Sequence, residues 1–329
     1  MPEGHSVHRI ARQFDRNFVG KAVAVSSPQG RFADGAALID GHVMTRAMAV
    51  GKQMFLEFEG GLWLRVHLGL YGAWDFAGEI LVDATIASAN GRMGQTNQRG
   101  TDPIYDDAGE NSLASIGAPR KTRAHVRMSE QTKGLSDDDT EWPPPVVGQV
   151  RARLMTDQTC ADLRGPTACA VETPEGVQAV LDRLGPDPLV GDPVENEARF
   201  VAAVRRRNVA IGQLLMDQAV VSGIGNVYRA EMLFRARIDP HTPGKAIPEE
   251  LVRGMWRDWV ELLTIGVETG QMMTMDGLDG EAWRRAMASR DDRHWVYHRA
   301  GLPCRVCGTE IVLEEMQARK LYWCPTCQK

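Results

Sequence analysis

No run of apolar side chains in these 329 residues approaches the ~18–20 needed for a membrane-spanning helix, so a helical membrane anchor is excluded. The start, Met1-Pro2-Glu3-Gly4-His5, places an acid where a secretory leader carries basic residues, and no apolar stretch follows. A cytosolic protein without a membrane partner is expected. Basic charge is also scarce. The chain has 38 Lys and Arg against 43 Asp and Glu, and its net charge of −5 argues, as a sum, against a nucleic-acid partner. Cysteines number six, and four of them form the pairs Cys304-x-x-Cys307 and Cys324-x-x-Cys327. In a reducing compartment such pairs point to a metal rather than to disulfides. The rest of the composition is ordinary, with 43% apolar and 25% charged residues, which excludes a collagenous, coiled-coil or fully disordered chain.

Distribution matters more than the sum of charge. Residues 79–145 hold seven basic and eleven acidic side chains, whereas residues 199–245 hold eight basic and three acidic. The acidity is concentrated in one segment and a basic surface is available elsewhere.

The length predicts two domains with a small appendage. Val7, Ile10, Ala11 and Phe14 recur at helical spacing ahead of Gly20. From about Lys21 to Trp74 apolar residues fall at every second position in short runs around Gly60-Gly61, a hairpin signal. This half reads as antiparallel strands in a sandwich or barrel, with residues 149–154 and the segment around Cys160 as closing strands. Residues 79–145 have few apolar side chains beyond their first ten and contain Asp137-Asp138-Asp139 and Pro143-Pro144-Pro145. They read as a long, mostly disordered insertion between two strands, with a functional lid as the lesser reading. From Thr173 onward helices dominate. Thr173 suits an N-cap, Pro174 the first helical position, Val177, Val180, Leu181 and Leu184 one face, and Gly185 the stop. Residues 198–206, 211–221, 227–234 and 249–267 read as further helices. The last thirty residues are too short for a core of their own and need a metal. Boundaries of 1–170, 171–298 and 299–329 follow.

Three features carry chemistry. Four thiolates in two C-x-x-C pairs match a closed tetrahedral zinc shell, which leaves no position for substrate and makes the metal structural. Arg319, Lys320, Tyr322 and Trp323 precede the second pair; a rigid hairpin bearing arginine suits phosphate, though a solvated charged face reads the same way. Next, an apolar segment runs into Gly223-Ile-Gly-Asn226 ahead of another helix. Such a turn exposes N–H groups at a helix start as a phosphate seat, and it also reads as an ordinary helix connection. The neighbouring Arg205-Arg206-Arg207 run favours phosphate, though such runs are usually just solvated. Finally, removal of Met1 would free the secondary amine of Pro2. With an α-amino pKa of roughly 7.7–8.0, that amine is partly neutral and nucleophilic near pH 7. A secondary amine condenses with an aldehydic sugar carbon to an iminium ion, and Glu3 stands beside it for acid–base work. Taken alone, such a start means almost nothing.

Together these features resemble the formamidopyrimidine-DNA glycosylase/endonuclease VIII family of base-excision repair enzymes. The motifs are Met1-Pro2-Glu3-Gly4-His5, Gly51-Lys52, His67-Leu-Gly-Leu-Tyr71, Asp162-Leu-Arg164-Gly-Pro, Gly223-Ile-Gly-Asn226-Val-Tyr and the four-cysteine finger. They occur in family order across the chain outside the insertion. The endonuclease VIII-like branch fits better, in its actinobacterial type, through Gly4 and Leu70-Tyr71. The resemblance implies an α+β fold: an N-terminal antiparallel β-sandwich with a flanking helix, then a helical domain with a helix–two-turn–helix motif and a four-cysteine zinc ribbon. It implies Pro2 as the nucleophile at C1′, Glu3 as the acid–base group, and Lys52 on a phosphate beside the lesion. Asn226 and Arg319 would clamp phosphates. Leu70 and Tyr71 would fill the gap left by the flipped base, and Arg164 would lie near the orphaned base. For these last three, core or loop packing stays an open alternative.

Ser6 stands where many members have a second Glu, and Pro166 where the formamidopyrimidine branch has an intercalating Phe. The expected activity is therefore a bifunctional DNA glycosylase/AP lyase that excises oxidised bases, chiefly pyrimidines, by β,δ-elimination. One structural zinc, a monomeric state, a nucleoid-associated cytoplasmic location and damaged double- or single-stranded DNA as partner complete the expectation. A purine-lesion glycosylase and a non-catalytic zinc-ribbon binder of damaged DNA are the alternatives.

Overall fold

The computed structural model describes residues 2–81, 115–117, 142–289 and 292–329. The chain opens with helix α1 (Gly4–Asn17), whose Val7, Ile10, Ala11 and Phe14 are buried as their spacing predicts. Strands β1 (Ala24–Ser26), β2 (Met44–Val50), β3 (Gln53–Phe58), β4 (Leu62–His67), β5 (Ala73–Gly78), β6 (Ser115–Gly117), β7 (Val150–Met155), β8 (Thr159–Arg164) and β9 (Ala168–Glu172) follow. They form two antiparallel sheets, ordered β1-β7-β8-β5-β6 and β2-β3-β4-β9.

The period of two decides which way each strand residue faces. Met54, Leu56 and Phe58 of β3 join Leu64 and Val66 of β4 in one core with α1 and with Trp74, Phe76, Leu154 and Leu163 of the other sheet. The intervening Phe55, with Trp63 of β4, faces away, and there helix α3 (Pro174–Leu181) covers it with Val177 and Val180. β3 is therefore buried on both faces, which explains its continuous apolar run Met54-Phe55-Leu56.

Several expectations are corrected. Helix α2 (Ala33–Ile39) lies inside the stretch read as strands; only Ala36 and Ile39 are buried along it, too few for a readable period. Within the expected insertion, β6 pairs with Ala73–Asp75 of β5. Its other residues, 82–114 and 118–141, lie outside the described residues. The Thr173 cap forms, its Oγ1 accepting from the Gly176 N–H at 3.2 Å, but α3 stops at Leu181 rather than at Gly185.

The helical half comprises α4 (Pro193–Arg205), α5 (Ile211–Leu214), α6 (Asn226–Arg235), α7 (Glu249–Thr269) and α8 (Gly280–Ala288). The helix expected over 211–221 is only four residues long. Val220, Val221 and Ile224 are apolar because a turn packs them into the second core with Phe200, Met232, Trp256 and Trp259. The C-terminal hairpin, β10 (Val312–Met316) and β11 (Arg319–Trp323), shares its small apolar cluster with α6: Ile311 and Tyr322 pack on Ala230 and Phe234. The fully buried Glu231 of α6 accepts from the N–H groups of Trp295, Val296 and Tyr297 at 2.7–2.9 Å, fastening the segment that leads into the hairpin. Among the described residues no helix is long and apolar enough to cross a membrane.

Candidate active site

The site is assembled where α1, the β2–β3 turn and the start of α6 meet. Pro2 is buried, and Glu3 is fully buried beside it. The Gly4 N–H donates to the Gly223 carbonyl at 2.9 Å, and a Cβ on Gly4 would lie 2.9 Å from Gly223 Cα. The start of the chain and the glycine turn thus approach backbone to backbone. Glu3 accepts from the Gly225 N–H at 2.8 Å and from the Val227 N–H at 2.9 Å, with the Tyr228 N–H at 3.5 Å. These are the free donors at the N-terminus of α6, where a carboxylate gains on the order of 1–2 kcal/mol. Any side chain at Gly225 would occupy the place of this carboxylate, since its Cβ would fall 2.4 Å from Glu3 Cδ. The phosphate seat expected at this turn is filled by a side chain of the chain itself.

Lys52 reaches the same turn from the other domain half, its Nζ donating to the Ile224 carbonyl at 2.5 Å. Burial pushes its pKa down to about 8; Glu3 partly opposes this and the Arg319 charge adds to it. His67, at the end of β4, is also lowered, by burial first and then by Lys52 and Arg65. Arg319 therefore stands within electrostatic reach of Lys52. It follows a two-residue hairpin turn in which Gln317 and Ala318 both have positive φ (53° and 56°). For side chains other than glycine that conformation costs about 1–2 kcal/mol per residue. Such local strain persists where surrounding structure holds it.

Asn226 occupies a different position from a free phosphate donor. Its Nδ2 donates to the Lys320 carbonyl of the hairpin at 2.8 Å, and its Oδ1 accepts from Arg229 at 2.5 Å. Arg229 donates also to Lys320 O at 3.2 Å. Its pKa is pushed down to about 10, by burial first and then by Arg319. Asn226 and Arg229 thus tie the turn to the C-terminal hairpin.

Leu70 and Tyr71 are 48% and 79% exposed in the loop after β4, so neither serves the core. Gly165 lies against the Tyr71 carbonyl, which brings the Arg164 loop beside them. Arg164 is not free: it is paired with Asp75 and Asp162, and its Nε donates to the Val147 carbonyl at 3.0 Å. Glu3, Lys52 and Asn226 meet at one turn, with Pro2 next to Glu3 in the chain and Arg319 within electrostatic reach of Lys52, while Leu70, Tyr71 and Arg164, the last residue of β8, form a second group on the sandwich.

Two residues of this site escaped sequence reasoning. The buried Asp187 bonds His8 Nε2 of α1 at 2.8 Å and accepts from the Gly51 N–H at 2.6 Å, joining the carriers of Glu3 and Lys52. Burial alone would raise its pKa, but His8 and the Gly51 and Leu189 N–H groups hold it below the usual value. Gln218 accepts from the Gly223 N–H at 3.0 Å and donates to Ile224 O at 3.0 Å, bracing the turn that Lys52 grips. Asp187 acts through partners far along the chain, whereas Gln218 holds residues only five and six positions on.

The four sulfurs of Cys304, Cys307, Cys324 and Cys327 lie within 4.8 Å of one another, with Cys304–Cys327 at 3.9 Å and Cys307–Cys324 at 3.4 Å. A tetrahedron of about 2.3 Å Zn–S bonds has edges near 3.8 Å, so the set fits one structural zinc.

Comparison with known proteins agrees with this geometry. The family described as the formamidopyrimidine-DNA glycosylase N-terminal domain matches residues 1–165, its H2TH domain matches 184–276, and a zinc finger found in FPG and IleRS matches 301–329. Endonuclease 8 1 of Mycobacterium tuberculosis is 37% identical over 328 residues, all of both chains. The formamidopyrimidine-DNA glycosylase of Bordetella petrii is 28% identical over 342 aligned positions, again end to end. The solved MutM (Fpg) protein of Thermus thermophilus shares the fold, with a TM-score of 0.62 at 24% identity over 99% of this chain and 98% of that one. So does the Lactococcus lactis Fpg in complex with an abasic-site DNA, with a TM-score of 0.67 at 16% identity over 99% of each chain. Fold and sequence together define a class of protein, the DNA glycosylase/AP lyases of base-excision repair. Within that class the chain belongs to the formamidopyrimidine-DNA glycosylase/endonuclease VIII family.

Proposed function

We propose that this glycosylase excises oxidised pyrimidines through a Schiff base on Pro2 and then cleaves the strand by β- and δ-elimination. The observation that carries the reading is the docking of Glu3 on the α6 N-terminus, which sets the adjacent Pro2 at the turn gripped by Lys52. In this scheme Met1 is removed and the Pro2 nitrogen attacks C1′ of the damaged nucleotide. The base departs with a proton, and Glu3 assists opening of the sugar ring. The resulting iminium carbon acidifies the C2′ proton; its loss expels the 3′ phosphate, and a second elimination expels the 5′ phosphate. A one-nucleotide gap remains.

Lys52 and Arg319 hold phosphates beside the lesion, and the exposed Leu70 and Tyr71 fill the vacated stack, offsetting a few kcal/mol of unstacking. Arg164 lies near the orphaned base, and Asn226 adds its remaining amide hydrogen to the clamp. The preference for pyrimidines is supported by the full-length likeness to Endonuclease 8 1 and by Pro166 in the loop beside Tyr71. The division into a catalytic sandwich (1–170), a helical domain (171–298) and a zinc finger (299–329), a monomeric state, and a nucleoid location in the cytoplasm belong to the same reading.

Borohydride trapping on duplexes carrying a thymine glycol, a hydroxylated cytosine, an 8-oxoguanine or an abasic site tests it. A covalent adduct is expected, strongest with the pyrimidine lesions. An adduct strongest with 8-oxoguanine would favour the purine-lesion alternative, suggested by the names of several relatives. No adduct on any duplex would leave a DNA binder only.

A pH dependence follows from Lys52. Its ammonium is half lost at about pH 8 in the free protein, and a bound phosphate raises that value. Above pH 8 the complex must take up a proton, so affinity falls with rising pH, by up to about tenfold per pH unit. Fluorescence anisotropy between pH 7 and 9 should show this decline, and Lys52→Arg, always charged, should flatten it. A flat profile in the unaltered protein would remove Lys52 from the phosphate grip.

A further inference from the structure

The Arg205-Arg206-Arg207 run is not used by the site. Arg205 pairs with Glu249 at 2.8 Å, but Arg206 and Arg207 line a cavity of about 660 Å³ together with Arg183 and Arg199. Its walls are the linker residues 182–186, the C-terminal half of α4 and Ala219. One carboxylate, Asp182, lines it against four guanidinium groups, and that carboxylate already accepts from Gln178 at 2.6 Å. Arg207 is held by Asp217 at 3.2 Å and Arg199 donates to Leu184 O at 3.4 Å. Among the described residues the side chains of Arg183 and Arg206 have no partner.

With Asp182 in the wall and Asp217 on Arg207, the hollow keeps an excess of two guanidinium charges over carboxylates, and this excess attracts an anion. The guanidinium fork matches phosphate oxygens. No aromatic side chain lines the cavity, so nothing there stacks a nucleobase, and the fit is to sugar–phosphate backbone rather than to a nucleotide. The cavity is also anchored to the catalytic turn. Gly185 donates its N–H to Gln218 O at 2.7 Å, and the Gln218 side chain holds the Ile224 carbonyl that Lys52 grips.

The geometry points to a second phosphate-binding site, in which Arg183, Arg199, Arg206 and Arg207 take phosphodiester groups of the duplex beyond the nucleotides at the lesion. This rests on the proposed action on duplex DNA and extends the footprint of the enzyme along it. The test is the double variant Arg183→Ala/Arg206→Ala, which breaks no ion pair and touches none of the residues placed in the catalytic site. Affinity is measured against salt on a lesion duplex of about one helical turn (roughly 10 bp) and on one of two to three turns.

On the long duplex the slope of log K against log salt should become shallower by about 0.9 for each phosphate that the variant no longer neutralises, roughly 1–2 in all. The short duplex should show no change, and its borohydride adduct should persist. Arg183→Lys/Arg206→Lys should restore the slope. An unchanged slope on the long duplex, with trapping intact, overturns the second site and leaves the catalytic reading standing. An equal loss on both lengths also overturns it, placing the cavity inside the lesion grip. Tripolyphosphate binding that the double variant abolishes, with an unchanged long-duplex slope, would make the cavity a free-anion site and refute the DNA assignment. Loss of trapping in the unaltered protein, by contrast, overturns the catalytic reading.

Discussion

Replacing Pro2 by glycine lowers the rate of base excision by at least about a hundredfold while duplex affinity stays within a few-fold, because the change touches only the reacting end of the chain. Glycine keeps a small second residue, so removal of Met1 is preserved. It substitutes a primary amine for a secondary one. A secondary amine gives an iminium ion that carries its charge at any pH, whereas a primary amine gives an imine that must first be protonated. Glycine also releases the φ constraint of proline, so the nitrogen is no longer held on one line of approach. A misplacement of about 1 Å is enough to cost on the order of a hundredfold in rate.

The docking of this end survives, because Glu3 keeps its bonds to the Gly225 and Val227 N–H groups and Gly4 its bond to Gly223 O. Single-turnover excision on a thymine-glycol duplex measures the rate, and anisotropy on an uncleavable abasic analogue measures the affinity. Equal loss in both would show that Pro2 is structural.

The second large effect is expected from Cys324→Ser. Cys324 is fully buried, and its sulfur lies 3.4 Å from that of Cys307. Removing one ligand opens the zinc shell, and structural zinc in finger peptides supplies an apparent folding free energy of about 10–16 kcal/mol. The apolar cluster of this hairpin is small and partly borrowed from α6, so it cannot stand without the metal. When the hairpin loosens, the Lys320 carbonyl leaves Asn226 and Arg229, and the Arg319 charge moves away from Lys52.

Removal of one charge-assisted phosphate bond, worth about 1.5–3 kcal/mol, weakens duplex binding by roughly ten- to a hundredfold. Excision should fall with it. Zinc content by plasma mass spectrometry should drop from one to near zero per chain, while far-UV dichroism keeps most of the signal of the sandwich and helices. An unchanged metal content would refute the four-thiolate site.

Much of this protein is legible in its sequence. The α1 face at Val7, Ile10 and Phe14, the Gly60-Gly61 hairpin and the Thr173 cap all form as their residues predict. Each depends on forces between residues no more than a few positions apart. The four cysteines are legible for a related reason: metal chemistry restricts ligand type and number so tightly that spacing is enough. The failures share the opposite cause. Val220, Val221 and Ile224 resemble a helix face because they fill a core, yet the backbone there is a turn. Helix α2, inside the stretch read as strands, buries only Ala36 and Ile39.

Local order, metal content and the inventory of reactive groups are written into neighbouring residues, since propensity, capping and coordination act over short spans of chain. The site itself is a product of folding. Glu3 meets Gly225 across 222 positions, Lys52 meets Ile224 across 172, and Asp187 meets His8 across 179. No periodicity spans such separations. Only closure of two packed cores around a shared turn brings a carboxylate and an ammonium to one place, and burial there, not composition, shifts the charge of Lys52 toward neutral pH.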